Sequence, residues 1–507
     1  MNFKIPIKVK AVLADKAVLA NKESSDLMPW EVIKEFKAFI LEKNPEGIKI
    51  GAVDPENKSL QQYIRQRFGD NVTWSRITEE DLSSILKNHT YDFKTDILEL
   101  ISNSPATNNN IIKIVDKTIK YSFNKKASDI HIEPIKNEAV VRFRIDGTLQ
   151  TMFTMPINVY QAVVARIKIL ANLKIDEYRF PQDGRIEPED FYNTSLRVST
   201  MPTLFGEKIA MRVLDDSHKN LSLSKLGLSE EQERIILGNI EKPFGMVIAS
   251  GPTGSGKTTT LYALLQLLKK DGLNISTLED PIEYILMGVN QTQINPRAKL
   301  TFPSGLRALL RQDPDIIMVG EIRDSETSVM ATNAAMTGHL VFTTIHTNDA
   351  PSSFIRLLEM KVEDFVVSST VNLVIAQRLV RKICKSCAKK RKLSPAIFNK
   401  IMERKDIVAA LEKRKENLVS ELEKHTFYVG AGCEECLGTG YLSRIGIFEL
   451  LQPNKEIHDL ILRHESADVI KSAAEKNGFQ DMITDGIEKV FKGITTFDEV
   501  LRTTKNV

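Results

Sequence analysis

The stretch Gly251-Pro252-Thr253-Gly254-Ser255-Gly256-Lys257-Thr258-Thr259 constrains the fold of this chain more than any other. It follows the phosphate-loop pattern of Gly, four residues, then Gly-Lys-Thr. Before it, Met246 to Ala249 is a short apolar run of the kind that forms a buried strand. After it, Leu261, Leu264, Leu265 and Leu268 recur at helical spacing, and Gly272 is placed to end that helix. Glycines let a backbone close around phosphate oxygens with its N–H groups pointing inward, and the following helix N-terminus adds partial positive charge. Lys257 would reach the terminal phosphates, and the Thr258 hydroxyl would ligate magnesium. With strand, loop and helix in register, a chance glycine-rich turn is the weaker reading.

The chain has 507 residues, enough for three or four domains. Lys plus Arg (69) nearly balance Asp plus Glu (66), so total charge does not call for nucleic acid. No run approaches about eighteen uncharged apolar residues, so no membrane span is expected, and a cytoplasmic protein is. Residues 1–28 read as a leader and 29–92 as a small partner-docking α/β domain. In that domain Ile33, Phe36 and Ile40 suggest one helical face, and Thr78-Glu79-Glu80-Asp81 suggests a capping box. A linker is expected over 93–110, then an arginine-bearing α/β lobe over 111–216, with strands at Ala139–Ile145, 194–199 and Lys208–Leu214. A second linker, 217–227, leads into the phosphate-loop domain, 228–507, with helices over 453–507.

Nucleotide hydrolysis needs a metal site, a carboxylate that places water, and charge compensation. Asp315-Ile-Ile-Met-Val-Gly-Glu321 is a buried-strand pattern ending in a carboxylate, the form expected of a second strand beside a phosphate loop. Glu279, Asp280 and Glu283 gather three acids after another strand, which suits metal–phosphate proximity better than a plain acidic loop. His339 and His346 flank the strand Leu340 to Ile345; His339 suits a structural role, and His346, at the other end, suits phosphate sensing. Cys384-Lys-Ser-Cys387 and Cys433-Glu-Glu-Cys436 fit a structural zinc site within an insertion over 383–440, with four free thiols or a redox pair as the alternative. Basic neighbours should lower the thiol pKa values of the first pair. The basic run 378–392 suits a solvated face as well as nucleic acid or anionic lipid, and no aromatic residue interrupts it.

Together these segments resemble the secretion ATPase superfamily, in particular the motors of type II secretion and type IV pilus assembly. The resemblance spans roughly 110–507 and rests on KASDIHIEP (126–134), VRFRIDG (141–147), RFPQDGR (179–185) and RVSTMPTLFGEKIAMRVL (197–214). It continues through TLEDPIEY (277–284), ALLRQDPDIIMVGEIRD (308–324), TGHLVFTTIHTNDA (337–350), AQRLVRKICKSC (376–387), GCEECLGTGYLSRIGIFELL (432–451) and GITTFDEVLR (493–502). It implies a RecA-like phosphate-loop core, a preceding PAS-like α/β lobe, a small N-terminal α/β domain and a tetracysteine zinc module. It implies ATP, Mg²⁺ and Zn²⁺, with Glu321 as catalytic carboxylate, Glu279, Asp280 and Glu283 as acidic box, and His339 to His346 as histidine box. Arg197 and Arg212 match arginines that reach the terminal phosphate, and Arg307, Arg311 and Arg323 match supporting arginines. The implied assembly is a homohexamer on the inner face of the cell membrane. Its implied partners are a platform protein and the cytoplasmic domain of a pilus or secretion membrane protein, with no nucleic acid. The zinc module and the ending 493–502 side with assembly motors. The front, 1–92, departs from members that bind cyclic di-GMP.

Overall fold

The computed structural model describes residues 28–505 apart from 29–31, 34–35, 45–46, 70, 103–107, 187–194, 215–221, 271, 415–421 and 423–424. The expected leader up to residue 27, the start of the second linker and Thr194 therefore lie outside the described residues, while Met28 packs into the core of the domain that follows. The chain divides into two compact units, Met1–Asp215 and Asp216–Val507. Among the described residues no helix is long and apolar enough to cross a membrane.

The first unit opens with a three-stranded sheet of β1 (Ala38–Asn44), β2 (Gly47–Ala52) and β3 (Val72–Arg76), backed by the helix Lys58–Phe68. Ile40 lies in β1 instead of on a helix. Ala38, Phe39, Ile40 and Leu41 form a continuous buried run, which a strand can bury on both faces and a short helix cannot. The capping box at Thr78 forms: Thr78 Oγ1 accepts from Asp81 N, and Asp81 Oδ2 accepts from Thr78 N, each at 3.0 Å. The helix it opens, Glu79–Ser102, takes in residues 93–102, so most of the expected linker is helical. Ile97 is fully buried, and Asp96 binds Lys117 of the next helix, Asn108–Asn124, at 2.6 Å. That packing outweighs the turn-forming residues that follow.

The rest of the unit is a six-stranded antiparallel sheet. Its order is β6 (Thr148–Pro156), β5 (Glu138–Ile145), β4 (Asp129–Pro134), β9 (Gly206–Leu214), β8 (Ser195–Thr203), β7 (Gln182–Ile186). Strict alternation in β5 buries Ala139, Val141, Phe143 and Ile145 and turns Arg142 and Arg144 to the other face. The buried pair Lys168–Glu207, 2.6 Å, ties the helix Ile157–Leu170 to β9.

The second unit is built on a seven-stranded sheet. Its order is β12 (Asn290–Gln293), β11 (Ile275–Glu279), β13 (Ile316–Val319), β14 (Leu340–Ile345), β10 (Gly245–Ser250), β15 (Val371–Ile383), β18 (Tyr441–Leu451). Only the β15–β18 pairing is antiparallel. Strands β10, β11, β13 and β14 are buried at every position, as a parallel sheet covered on both faces requires. Beyond Ile383 the chain leaves the sheet and forms β16 (Ala388–Lys392), then, among the described residues, the helices Pro395–Met402 and Lys405–Arg414 and β17 (Thr426–Gly430), and returns as β18. The helices of this excursion share a small core with the C-terminal helices Met482–Phe491 and Phe497–Thr503.

Candidate nucleotide site and tetracysteine centre

Strand β10 runs into the phosphate loop, and the helix Lys257–Leu268 leaves it. Gly251, Gly254 and Gly256 have φ of 141°, 78° and 90°, where a side chain is strained. A Cβ on Gly251 would also stand 2.5 Å from the Gln377 carbonyl and 2.7 Å from Ser255 Oγ. Pro252, Thr253 and Gly254 form the exposed tip, Ser255 is buried, and Thr258 and Thr259 are half-buried in the first helical turn. Gly256 provides no side-chain cap, so that turn can offer its N–H groups to an anion.

Gln377 is a residue that sequence reasoning passed over. It lies buried on β15, donates from Nε2 to the Ser255 carbonyl at 2.7 Å and accepts from Thr260 Oγ1 at 2.7 Å. It therefore braces both the loop and the helix behind it. Its signal was an uncharged polar residue directly after the apolar run Leu373–Ala376.

Lys257 is buried, and its Nζ donates to the carbonyls of Gly251 (2.7 Å) and Pro252 (3.2 Å). Burial pushes its ammonium pKa down to about 8, and the Glu321 carboxylate opposes that shift. A triphosphate beside this group would hold the proton more tightly, so nucleotide binding should take up a proton above pH 8 and none below it. Affinity for a fluorescent ATP analogue should thus be flat from pH 6.5 to 7.5 and weaken by up to about tenfold per pH unit above 8. A flat titration to pH 9.5 would contradict this account of Lys257.

Glu321 follows β13 at the edge of the sheet where the phosphate loop also lies, because β13, β14 and β10 are mutually parallel. The turn is pinned by Gly320 N to Leu278 O (2.7 Å), Ile322 N to Thr344 O (3.0 Å) and Thr344 Oγ1 to Gly320 O (2.7 Å). The Glu321 side chain is only 12% exposed; Arg323 Nη2 lies 2.5 Å from one oxygen and His346 Nε2 3.5 Å from the other. The structure thus gathers Glu321, Arg323 and His346 into one cluster, and Lys257 feels the charge of its carboxylate.

His339 lies at the opposite end of β14, with Nδ1 3.0 Å from the Ala334 carbonyl at the end of a helix. Arg307 binds Glu326 at 2.6 Å, and Arg311 donates to the Arg307 carbonyl at 2.7 Å. Glu279 is buried and accepts from Tyr262 Oη, from Thr277 Oγ1 at 2.6 Å and from Gln291 Nε2 at 3.1 Å. Asp280 is exposed and Glu283 half-buried.

In the first unit one row of side chains crosses five strands. Arg144 faces Asp129, Asp129 faces Arg212, Arg212 faces Arg197, and Arg197 faces Arg185. Asp129 holds Arg144 at 3.4 Å and Arg212 at 3.3 Å. Arg212 and Arg197 stand directly opposite each other in this row, and an anion between them would relieve their mutual repulsion.

The four cysteines meet although 45 residues separate the pairs, because antiparallel β15 and β18 bring Ile383 opposite Tyr441. The Sγ atoms of Cys384 and Cys433, and of Cys387 and Cys436, are 3.8 Å apart; those of Cys433 and Cys436 are 3.6 Å apart. All four lie within 4.8 Å of one another. A tetrahedral zinc–thiolate site with bonds near 2.3 Å has sulfur–sulfur edges of about 3.8 Å, so the donor set fits zinc. The expected lowering of the first pair is not found: burial pushes the Cys384 thiol up to about 12 and raises Cys387 as well. Their basic neighbours Lys385, Lys389 and Lys390 sit in solvent, where their charge is screened. Cys436 is instead held down at about 7, against its burial, by N–H groups of Cys433 and Gly440, each 3.2 Å from its sulfur.

The family described as type II/IV secretion system protein matches residues 105–502. The type IV pilus assembly ATPase PilB of Pseudomonas aeruginosa is 40% identical over 517 residues, covering 96% of this chain and 87% of that protein. The type II secretion system protein E of Dickeya dadantii is 37% identical over 500 residues, covering 97% and 95%. The chain spans 66% of the length of the pilus assembly ATPase TfpB of Acinetobacter baylyi and 43% of PilB of Thermus thermophilus. A solved structure of the pilus retraction motor PilT with ADP aligns with TM-score 0.51 at 24% identity, over 77% of this chain and 96% of that one, a likeness of fold.

Proposed function

The chain belongs to the type II/IV secretion system protein family, and on that premise we propose that it is an ATPase whose hydrolysis of ATP drives assembly of a type IV pilus or a secretion pseudopilus. The observation that carries this reading is the cluster around Lys257: a braced phosphate loop facing a partly buried Glu321 that Arg323 and His346 flank. In it, the loop N–H groups and Lys257 bind the phosphates, and Thr258 with the acidic segment holds magnesium. Glu321 orients the attacking water, and His346 lies at the same edge to register the terminal phosphate. Arg197 and Arg212 compensate charge on the transferring group; such an arginine is worth about 10³–10⁵ in rate. Contacts that exist only while the γ-phosphate is present supply the stroke.

The motor is a homohexamer at the inner face of the cell membrane, docked on a platform protein, with residues 29–92 meeting a second membrane component. Zinc, held by Cys384, Cys387, Cys433 and Cys436, supplies rigidity and no chemistry, since all four positions are protein ligands.

A nucleic-acid motor is the rival reading. One observation favours it: β16 and β17 pair antiparallel, so Lys390 sits over the ring of Tyr428 at 5.4 Å and the basic strand gains an exposed aromatic across the ribbon. Steady-state ATPase of the purified chain with and without single-stranded DNA separates the two. We expect magnesium-dependent hydrolysis that DNA leaves within about twofold. Stimulation of tenfold or more would favour the rival, because bases stacking on such a ribbon bind by 1–3 kcal/mol each.

A further inference from the structure

We propose that Tyr262 is a positioning residue of the ATPase site, which holds the acidic segment at a fixed offset from Thr258, and that Glu279 is its internal anchor instead of a metal ligand. The inference rests on the ATPase reading and assigns roles within that site.

Thr258 and Tyr262 stand four residues apart in the helix Lys257–Leu268 and so share one helix face, one turn apart. The tyrosine is fully buried. Its hydroxyl donates to Glu279 Oε2 and accepts from Glu283 N at 3.4 Å and Gln291 Nε2 at 3.3 Å. Its ring meets that of Tyr284 edge-on, with centroids 4.6 Å apart. Gln291, on the edge strand β12, also donates to the Tyr284 carbonyl at 3.2 Å and accepts from Leu286 N at 2.7 Å. One phenol and one amide thereby tie together the phosphate-loop helix, the end of β11, the segment 280–286 and β12.

Glu279 has little left to give a metal. Both of its oxygens accept hydrogen bonds from side chains, and the group is 2% exposed. A buried carboxylate satisfied in this way is a fixed post, costly to turn outward. Asp280 and Glu283 follow it on a segment that Tyr262 ties, through Glu283 N, to the helix that carries Thr258. Contact with a magnesium ion or its waters falls instead to the exposed Asp280.

The test is a kinetic comparison of the full chain, wild type against Tyr262→Phe, Glu279→Gln and the double variant. The readouts are kcat, KM for ATP, the magnesium concentration giving half-maximal rate, and thermal melting. Tyr262→Phe keeps the ring and cuts the tie. We expect nucleotide affinity within about threefold, kcat lowered about 10- to 100-fold, and a raised magnesium requirement, since small misplacements near reacting groups have effects of this size. The double variant should be no slower than the slower single, because both changes cut one tie. Gln291→Leu, which cuts it from the other side, should move kcat and the magnesium requirement the same way, and serves if Tyr262→Phe does not fold. The proposal is overturned if these variants keep the wild-type kcat and magnesium curve while Glu279→Gln alone is inactive at every magnesium concentration. A folded wild-type chain with no ATPase activity would overturn the ATPase reading itself.

Discussion

Replacing Glu321 with glutamine is expected to lower ATP turnover by about 10²–10⁴-fold while changing nucleotide affinity by no more than a few-fold. The amide keeps the size of the carboxylate and loses its charge. Without that charge nothing draws a proton from the attacking water, and the side chains at 2.5 and 3.5 Å, Arg323 and His346, lose the carboxylate that orients them. A second consequence can be read at equilibrium. Glu321 holds the Lys257 pKa up against burial, so the glutamine variant should show its loss of affinity at lower pH than the wild type does. Lys257→Ala differs in kind: it removes the terminal-phosphate contact, so affinity and turnover should fall together. Single-turnover hydrolysis and nucleotide titration over pH 6.5–9.5 distinguish the cases. Near-normal turnover in Glu321→Gln would remove this carboxylate from the mechanism.

That contrast depends on a cluster the sequence exposed only in part. The phosphate loop was legible because its strand, loop and helix are local, each announced by its own periodicity. Glu321 was legible for the same reason, as the end of a buried strand. What was not legible is which side chains meet across the sheet. Gln377 is more than a hundred residues from the loop it braces and reaches it only because β15 lies beside β10. Tyr262 carries no mark of its own in the sequence, and its hydroxyl finds Glu279 only through a fold in which β11 is three places from β10, the strand that leads into its helix. The arginine row in the first unit needs the register of five strands, which no single strand discloses. Where local signals misled, burial explains it. Ile40 went into a strand because its neighbours are apolar on both sides, and residues 93–102 stayed helical because Ile97 found a core.

The tetracysteine centre carries the other large expectation: purified chain should hold about one zinc, and removing it should cost the excursion between β15 and β18 on the order of 10 kcal/mol of closure. The argument starts from what would otherwise hold that excursion shut. Beyond Ile383 the chain has left the main sheet; the two-stranded ribbon β16–β17 and the core around Ile401, Ile407, Leu411 and Phe427 are small. A core of that size cannot alone offset the entropy of ordering the chain that passes through it. Four sulfurs at tetrahedral spacing close the neck of the excursion, and two N–H donors favour the thiolate form of Cys436. Because the same small core includes Ile483, Ile487, Phe497 and Val500, loosening should spread into the last two helices. It should also reach the buried Glu499, whose carboxyl stays near 2 because its contacts with Arg502 and Arg381 outweigh its burial. Hydrogen exchange of Cys436→Ser, or of chelated wild type, should therefore rise over 384–440 and 482–503 and stay unchanged in β10, β13 and β14. Metal analysis that finds no zinc, or a serine variant with native protection over 384–440, would show that the thiols close nothing.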